Sequence, residues 1–488
     1  MAYQHGISVI EQKSVGQPSR SLSAVQVVIG TAPVHLIADP ASAVNNPILA
    51  NTLEDVKAKL GYSGSESDDF DKYTLNESVF SSFELFNVAP IVFINVLDPE
   101  IHKTDVTDQT VAITKGVATI DDDGVLLDSV QVKSTDKVTT YVKNTDYTLA
   151  FDEKGKPVIA VLSSGTVGTA TELSVSFSKL NPEAVIDEEI IGGYDSETGK
   201  YSGSELVRNV YPQFGILPAL VLAPGWSHKP EIAAVLNAKL PNINGSFKAF
   251  AVLDVDSETV RKYGDVPTWK TDNNYTDKRS IVLWPKVKKK GKILWYSAVM
   301  AARIAQTDAE NEDVPFVSPS NKEIPIDATV LADGTNVFLD QPQANYLNGK
   351  GIVTAINWGT WRTWGNNTAA YPEATKQQDR FIAVRRVFDW WGNSFIVAFF
   401  DKVDNPTNYR LIESVVDAEN LRANGYQAKG QIAGAKIEFR EDMNPAENIL
   451  NGKIVFTQKI GAFSPAESIV NVLEFDPTIT AKAILGGA

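Results

Sequence analysis

The chain has 488 residues, 43% of them apolar and 22% charged, with 45 basic against 60 acidic residues and a formal charge of −15. This balance excludes a fibrous repeat or a disordered tail protein and opposes use of the whole surface to hold nucleic acid or anionic lipid. The absence of cysteine excludes disulfides, thiolate metal sites and cysteine nucleophiles.

At roughly 100 to 200 residues per domain, the length suggests about three domains. The start, Met1-Ala2-Tyr3-Gln4-His5-Gly6, lacks the charged region and apolar run of a signal peptide. No stretch approaches the ~20 apolar residues of a membrane span, so the sequence reads as a soluble protein made in the cytoplasm, with no direct membrane insertion.

In chain order, the segment before Leu22 is weakly patterned and reads as an arm. Val25–Ile29 and Pro90–Val96 read as buried strands, with an amphipathic helix over Leu75–Phe86 between them that carries Leu75, Val79, Phe83 and Phe86 on one face. From about residue 99 to 189 the texture changes to short alternating runs such as Ser129–Val132 and Leu173–Phe177, separated by turns at Asp123-Gly124 and Lys154-Gly155. This stretch holds 16 acidic and 8 basic residues, about half the net charge, and predicts a small all-β insertion facing solvent. The α/β texture resumes with strand Ala219–Ala223, helix Pro230–Leu240 and strand Lys248–Asp254. From Asp340 to the end the charges nearly balance, at 16 acidic against 15 basic. There Arg380–Arg386 reads as a strand leading into Val387–Trp391. A helix follows over Asn408–Asn424, with Leu411, Val415, Val416 and Leu421 inward and its end at Gly425. Three strands then read as Ala435–Phe439, Gly452–Lys459 and Glu467–Phe475, before a second weakly patterned arm, 476–488.

Chemistry-bearing constellations are sparse. The four histidines, His5, His35, His102 and His228, fall in no metal-ligand spacing, and no G-x-S-x-G elbow is present. Gly193–Tyr201 has the outline of a phosphate loop, but one residue too many separates its glycines, and Tyr201 stands where a magnesium-binding hydroxyl belongs. Asp121-Asp122-Asp123-Gly124 lacks the alternate spacing and closing Glu of a calcium loop and reads as a turn. Lys286–Lys290 is the one basic run and reads as a solvated loop or a patch for an acidic neighbour. The best enzyme-like feature is Asp254 with Asp256, at the strand end where open α/β sheets often bind ligands. No catalytic, cofactor or metal site is expected. An α/β enzyme using Asp254 and Asp256, or a monomeric adhesion module built on the β insertion, remain as alternatives.

The opening Tyr3–Glu11, followed by Val28-Ile29-Gly30-Thr31-Ala32-Pro33, resembles the start of the contractile phage tail sheath family. Further pieces keep the family order: Leu222–Gly225, Ile281–Pro285, Ser297–Asp308 leading into Ser318–Asn321, Leu347–Ile352, Trp364–Thr368, Phe381–Arg386 and Ser464–Glu467. The resemblance spans nearly the whole chain, and the insertion matches by position and β character only.

The resemblance implies a mixed α/β, multidomain structural subunit of a six-fold helical sleeve around a tail tube. Such a sleeve contracts to drive the tube through a cell envelope. The setting would be a virion tail or phage-tail-like particle assembled in a bacterial cytoplasm. Its partners would be further copies of itself, the tube protein, and baseplate and tail terminator proteins. The expected layout is an N-terminal arm (1–22), a discontinuous α/β domain (23–98 and 190–345), the insertion (99–189), a C-terminal α+β domain near the tube (346–475) and a C-terminal arm (476–488). The arms would exchange strands between subunits through Tyr3, Gly6, Ile7 and Val9 at one end and Ile479, Ala481 and Ile484 at the other. Arg385 and Arg386, on opposite faces of the expected strand, would make charge contacts between subunits, so reversing either charge should barely move the monomer's melting temperature.

Overall fold

The computed structural model of the chain describes residues 17–486, so Tyr3, Gly6, Ile7 and Val9 lie outside the described residues. The body is built on one eight-stranded sheet. In chain order its first strands are β1 (Gln26–Gly30), β2 (Ile48–Ala50) and β3 (Ile91–Asn95). Between β2 and β3 lies a short helix, α1 (Leu75–Val79), which widens into a π-helical turn over Phe80–Leu85 and buries Leu75, Val79, Phe80 and Phe83. Two insertion strands follow, β4 (Lys103–Ala112) and β5 (Glu172–Leu180). The body resumes with β6 (Leu220–Leu222), helix α2 (Pro230–Lys239), β7 (Phe250–Asp254) and β8 (Ser280–Leu283). Outside the main sheet, β9 (Lys286–Lys289) precedes helix α3 (Tyr296–Ala309). The sheet ends with β10 (Ile352–Trp358) and β11 (Thr360–Trp364).

Across the sheet the order is β11-β10-β8-β7-β6-β1-β3-β2, parallel from β10 to β3 and antiparallel at each rim. One register row runs Val28, Leu222, Val252, Ile281. These strands are apolar without alternation because helices cover both faces, and their side chains join the largest core of the molecule.

The boundary expected at 345/346 does not hold. Ile352 and Val353 pair in parallel with Val282 and Leu283, so β10 and β11 extend the central sheet instead of founding a C-terminal domain. The basic run Lys286–Lys290 is also not a solvated loop. It forms β9, in which Val287 is buried, the Lys286 ammonium lies 3.7 Å from the Trp295 ring centre, and Lys289 pairs with Asp327 at 2.9 Å.

The stretch from β4 to β5 forms two small sheets, one of four strands and one of three, around their own core of Val125, Val132, Ile159, Leu173, Val175 and Phe177. It is nevertheless seated on the body. His35 packs against Tyr73 and Phe151, Lys72 pairs with Asp123 at 2.7 Å, and Leu180 and Val185 belong to the main core. Burial drives the pKa of His35 down to about 3, so it is neutral in this seam. Replacing residues 104–178 by a short Gly-Ser linker should leave a soluble body, because Leu180 and Val185 stay. Its melting temperature should fall by several degrees as Tyr73 and His35 become uncovered; collapse of the whole fold in circular dichroism would contradict this.

Past the sheet, helix α4 (Ile382–Phe399) occupies the place of the expected Arg380–Arg386 strand. Alternation over seven residues gives way to a helical pattern sustained over eighteen, with Ala383, Val387 and Trp391 buried four apart. Helix α5 (Tyr409–Ala428) runs past Gly425 and turns in Val415, Glu419 and Ala423, while Leu421, expected inside, is 74% exposed. Strands β12 (Gly434–Phe439) and β13 (Phe456–Gly461) form a two-stranded sheet against α5. Glu467–Phe475, expected as a third strand, forms none, and Asp476 caps a last short helix, α6 (Pro477–Ile484).

Candidate functional site

At the carboxyl ends of the parallel strands, Asp254 is buried and accepts hydrogen bonds from the Ser297 N–H (2.9 Å) and the Ser227 hydroxyl (3.3 Å). Glu77, from α1, accepts from the Trp295 N–H at 2.6 Å. Two carboxylates of the chain itself therefore hold the amide donors at the start of α3, where such sheets often take a ligand. Asp256 is occupied separately, accepting from the Thr259 hydroxyl (2.7 Å) and the Glu258 N–H (2.9 Å) in a local turn. The two residues of the enzyme reading thus serve the fold. The phosphate-loop lookalike is an exposed hairpin pairing Tyr194 with Tyr201 and Asp195 with Lys200. In the aspartate run, Asp122 pairs with Lys179 and Asp123 with Lys72 and Lys156. Among the described residues no His, Asp and Glu side chains form a cluster able to hold a metal ion, and no helix is long and apolar enough to cross a membrane.

Burial raises the Glu77 carboxyl to about 8 and Asp254 to about 6, against the pull of Lys286 and the amide donors. A carboxyl whose pKa rises on folding stabilises the fold fully below its ordinary value, and that contribution is lost as pH climbs through the raised value. The urea midpoint should accordingly fall as pH rises from about 5 to beyond about 8. Glu77→Gln should flatten the upper part of that profile; an unchanged slope in the variant would contradict the assignment. Glu77 was missed in the sequence, although a carboxylate within the apolar run Leu75–Phe86 is the visible sign.

The two arginines expected at subunit contacts are engaged within the chain. Arg386 is buried and meets Asp308 of α3 at 2.5 and 3.1 Å and the Ser23 carbonyl at 3.3 Å. Asp308 also accepts from the Ser23 hydroxyl at 2.7 Å, and Asp313 accepts from the N–H groups of Leu22 and Ser23. This node binds the root of the N-terminal segment to α3 and α4. Arg385 shares Asp389 with Arg279, at 2.8 and 2.7 Å. An eighteen-residue helix, unlike a strand, sets adjacent residues about 100° apart, so both guanidiniums find partners on neighbouring elements.

What remains unpartnered is at the C-terminal end. Beyond Glu467 every described residue is exposed, including Ile469 (88%), Val472 (75%), Leu473 (87%) and Phe475. Ile479, Ala481 and Ile484, expected in an exchanged strand, lie in the exposed helix α6. The two-stranded sheet nearby packs on a core of only Val387, Trp391, Ala423 and Ile432, with partly buried neighbours; among the described residues neither of its strands pairs with a third, although the Asn420 side chain bonds the Ile437 N–H (3.0 Å) and C=O (3.3 Å) of β12. Among the described residues, the exposed segment with no hydrogen bond or ion pair to the body therefore starts at Ser468, eight residues before the expected arm.

No family model matches the chain. It is 25% identical over 501 aligned residues to the tail sheath protein of Burkholderia phage BcepMu, covering 99% of this chain and 98% of that one. Over nearly its whole length the chain is thus similar to a phage tail sheath protein. The tail sheath protein of Escherichia phage P2 is 24% identical over 66% of this chain and 77% of its own length. Among solved structures, the same fold recurs in a chain of the six-fold symmetrised anti-feeding prophage baseplate, with TM-score 0.60, 16% identity, and coverage of 98% of this chain and 100% of that one. It recurs again in the contracted PVC sheath complex of an extracellular contractile injection system, with TM-score 0.57, 14% identity, and coverage of 98% and 99%.

Proposed function

We propose that the chain is a structural subunit of a contractile tail sheath, not an enzyme, and that copies polymerise as a six-fold helical sleeve around a tail tube. The observation that carries the assembly mode is the pairing of two incomplete features in one chain. An exposed apolar segment has no place on its own body, and a two-stranded sheet pairs with no third strand among the described residues. An isolated hairpin is marginal in water, and strand addition by another subunit would satisfy its backbone groups and cover apolar side chains together. Residues 468–475 are the better candidates for the added strand at this end, and the N-terminal residues Tyr3, Gly6, Ile7 and Val9 for the other. On this reading the sleeve contracts by rigid-body rearrangement of subunits whose arms stay paired, driving the tube through a target cell envelope. Baseplate, tube and terminator proteins are its further partners, the insertion faces outward, and assembly takes place in the bacterial host cytoplasm before the particle is released. Electron microscopy of the purified chain should show long hollow sleeves; discrete compact particles at all concentrations would contradict the proposal.

A further inference from the structure

Between β13 and the free segment, the chain crosses a polar groove of about 580 Å³ whose lining includes Phe316, Ser320, Asn345 and Trp364. Phe463–Glu467 form one wall of it. At its end the Arg380 guanidinium lies 4.5 Å from the ring centres of both Tyr371 and Phe381 and donates through Nε to Asn367 Oδ1 at 2.8 Å. Its Nη2 donates to Glu467, the last described residue with a hydrogen bond or ion pair to the body. The backbone of this site is tied down as well, since the Thr368 N–H donates to the Arg380 carbonyl at 2.7 Å and the Ile382 N–H to the Asn366 carbonyl at 2.8 Å.

We infer that Arg380 is a preformed carboxylate receptor that fastens the C-terminal segment to the body through Glu467, so that residues 468 onward leave from a fixed point. A guanidinium stacked on aromatic rings and oriented through one nitrogen keeps its remaining donors in place, so little side-chain freedom is lost when a carboxylate arrives. A lysine at this position would offer the charge without the planar fork. Pro465 limits the backbone two residues before the anchor. The anchor acts on position, not on folding: the eight residues Ser468–Phe475 reach at most about 29 Å from it when extended. A fixed departure point restricts which edges of a second copy they can meet, and this consequence rests on the sheath proposal.

The absence of cysteine allows a direct measurement on the full chain before assembly. Spin labels at Ser468→Cys and at the exposed Lys376→Cys report the distance between the arm root and the body by double electron–electron resonance. The intact Arg380–Glu467 pair should give one narrow distribution. Arg380→Gln, Arg380→Lys and Glu467→Gln should each replace it with a broad one, with no change in far-ultraviolet circular dichroism. Glu467→Gln guards the test, because a substitution on the exposed tail leaves the body folded. A narrow peak surviving in Glu467→Gln would overturn the anchor. If the unlabelled chain never built sleeves, the sheath proposal would fall, whereas the distance distributions, read on single chains, would still decide the anchor.

Discussion

Replacing Val472 and Leu473 together by aspartate should leave a folded chain that builds no sleeves. Both side chains are at least three-quarters exposed, and no hydrogen bond joins their segment to the rest of the chain, so the substitution removes nothing from the folded subunit. Exposed substitutions of this kind stay within about 0.5 kcal/mol. Within a sleeve the balance reverses. A strand added to β12 or β13 would bury one of the two residues whichever face it presents, because neighbouring side chains point to opposite sides. Covering a Val or Leu side chain contributes about 1.5–3 kcal/mol, a carboxylate put in its place must be desolvated without a partner, and the loss recurs in every copy of the polymer. Melting curves that overlay the wild type, with grids that lack tubes, are the expected pair of results. Regular tubes from the double variant would remove this segment from the linkage.

Arg386→Ala should do the reverse and destabilise the single subunit by about 3–5 kcal/mol, a fall in melting temperature on the order of 10 °C. The cost comes from what is left behind. Asp308 is buried, and without the guanidinium its charge keeps only the Ser23 hydroxyl, while the Ser23 carbonyl loses its donor. Arg386→Glu should be worse, because it sets a second carboxylate against the first. Arg386→Met combined with Asp308→Leu should recover part of the loss, since replacing a buried pair by apolar side chains avoids the stranded charge. The expectation that reversing this charge would leave the monomer's melting temperature unchanged depended on a strand with one exposed face, and a buried helix removes that premise. A melting temperature within a degree of wild type for Arg386→Ala would contradict this cost.

The sequence carried the central sheet well. Val25–Ile29, Pro90–Val96 and Lys248–Asp254 are apolar without alternation, and only strands covered on both faces need that pattern. The insertion was legible for the complementary reason: alternation with turns every few residues marks strands half-covered by a small core. The order of short matching pieces along the chain pointed to the sheath family, and the absence of any nucleophile, base or metal spacing pointed away from catalysis.

Tertiary structure decided the rest, because period and composition say which residues want cover and not what covers them. Arg380–Arg386 alternates locally, yet α4 forms because its helical face finds α3 and α5 to pack against. Asp254 looks like chemistry until the Ser297 amide at the start of α3 is seen to occupy it. Leu347–Ile352 stands in the family order in either case, but only the pairing of Ile352 with Val282 assigns β10 to the central sheet. Ser468–Phe475 has the alternation of a strand, and the sequence reads it as one more strand of the chain's own core. In the folded chain it meets no partner. The pattern set by the residues is that of a strand in need of an edge, and among the described residues of the folded chain it pairs with none.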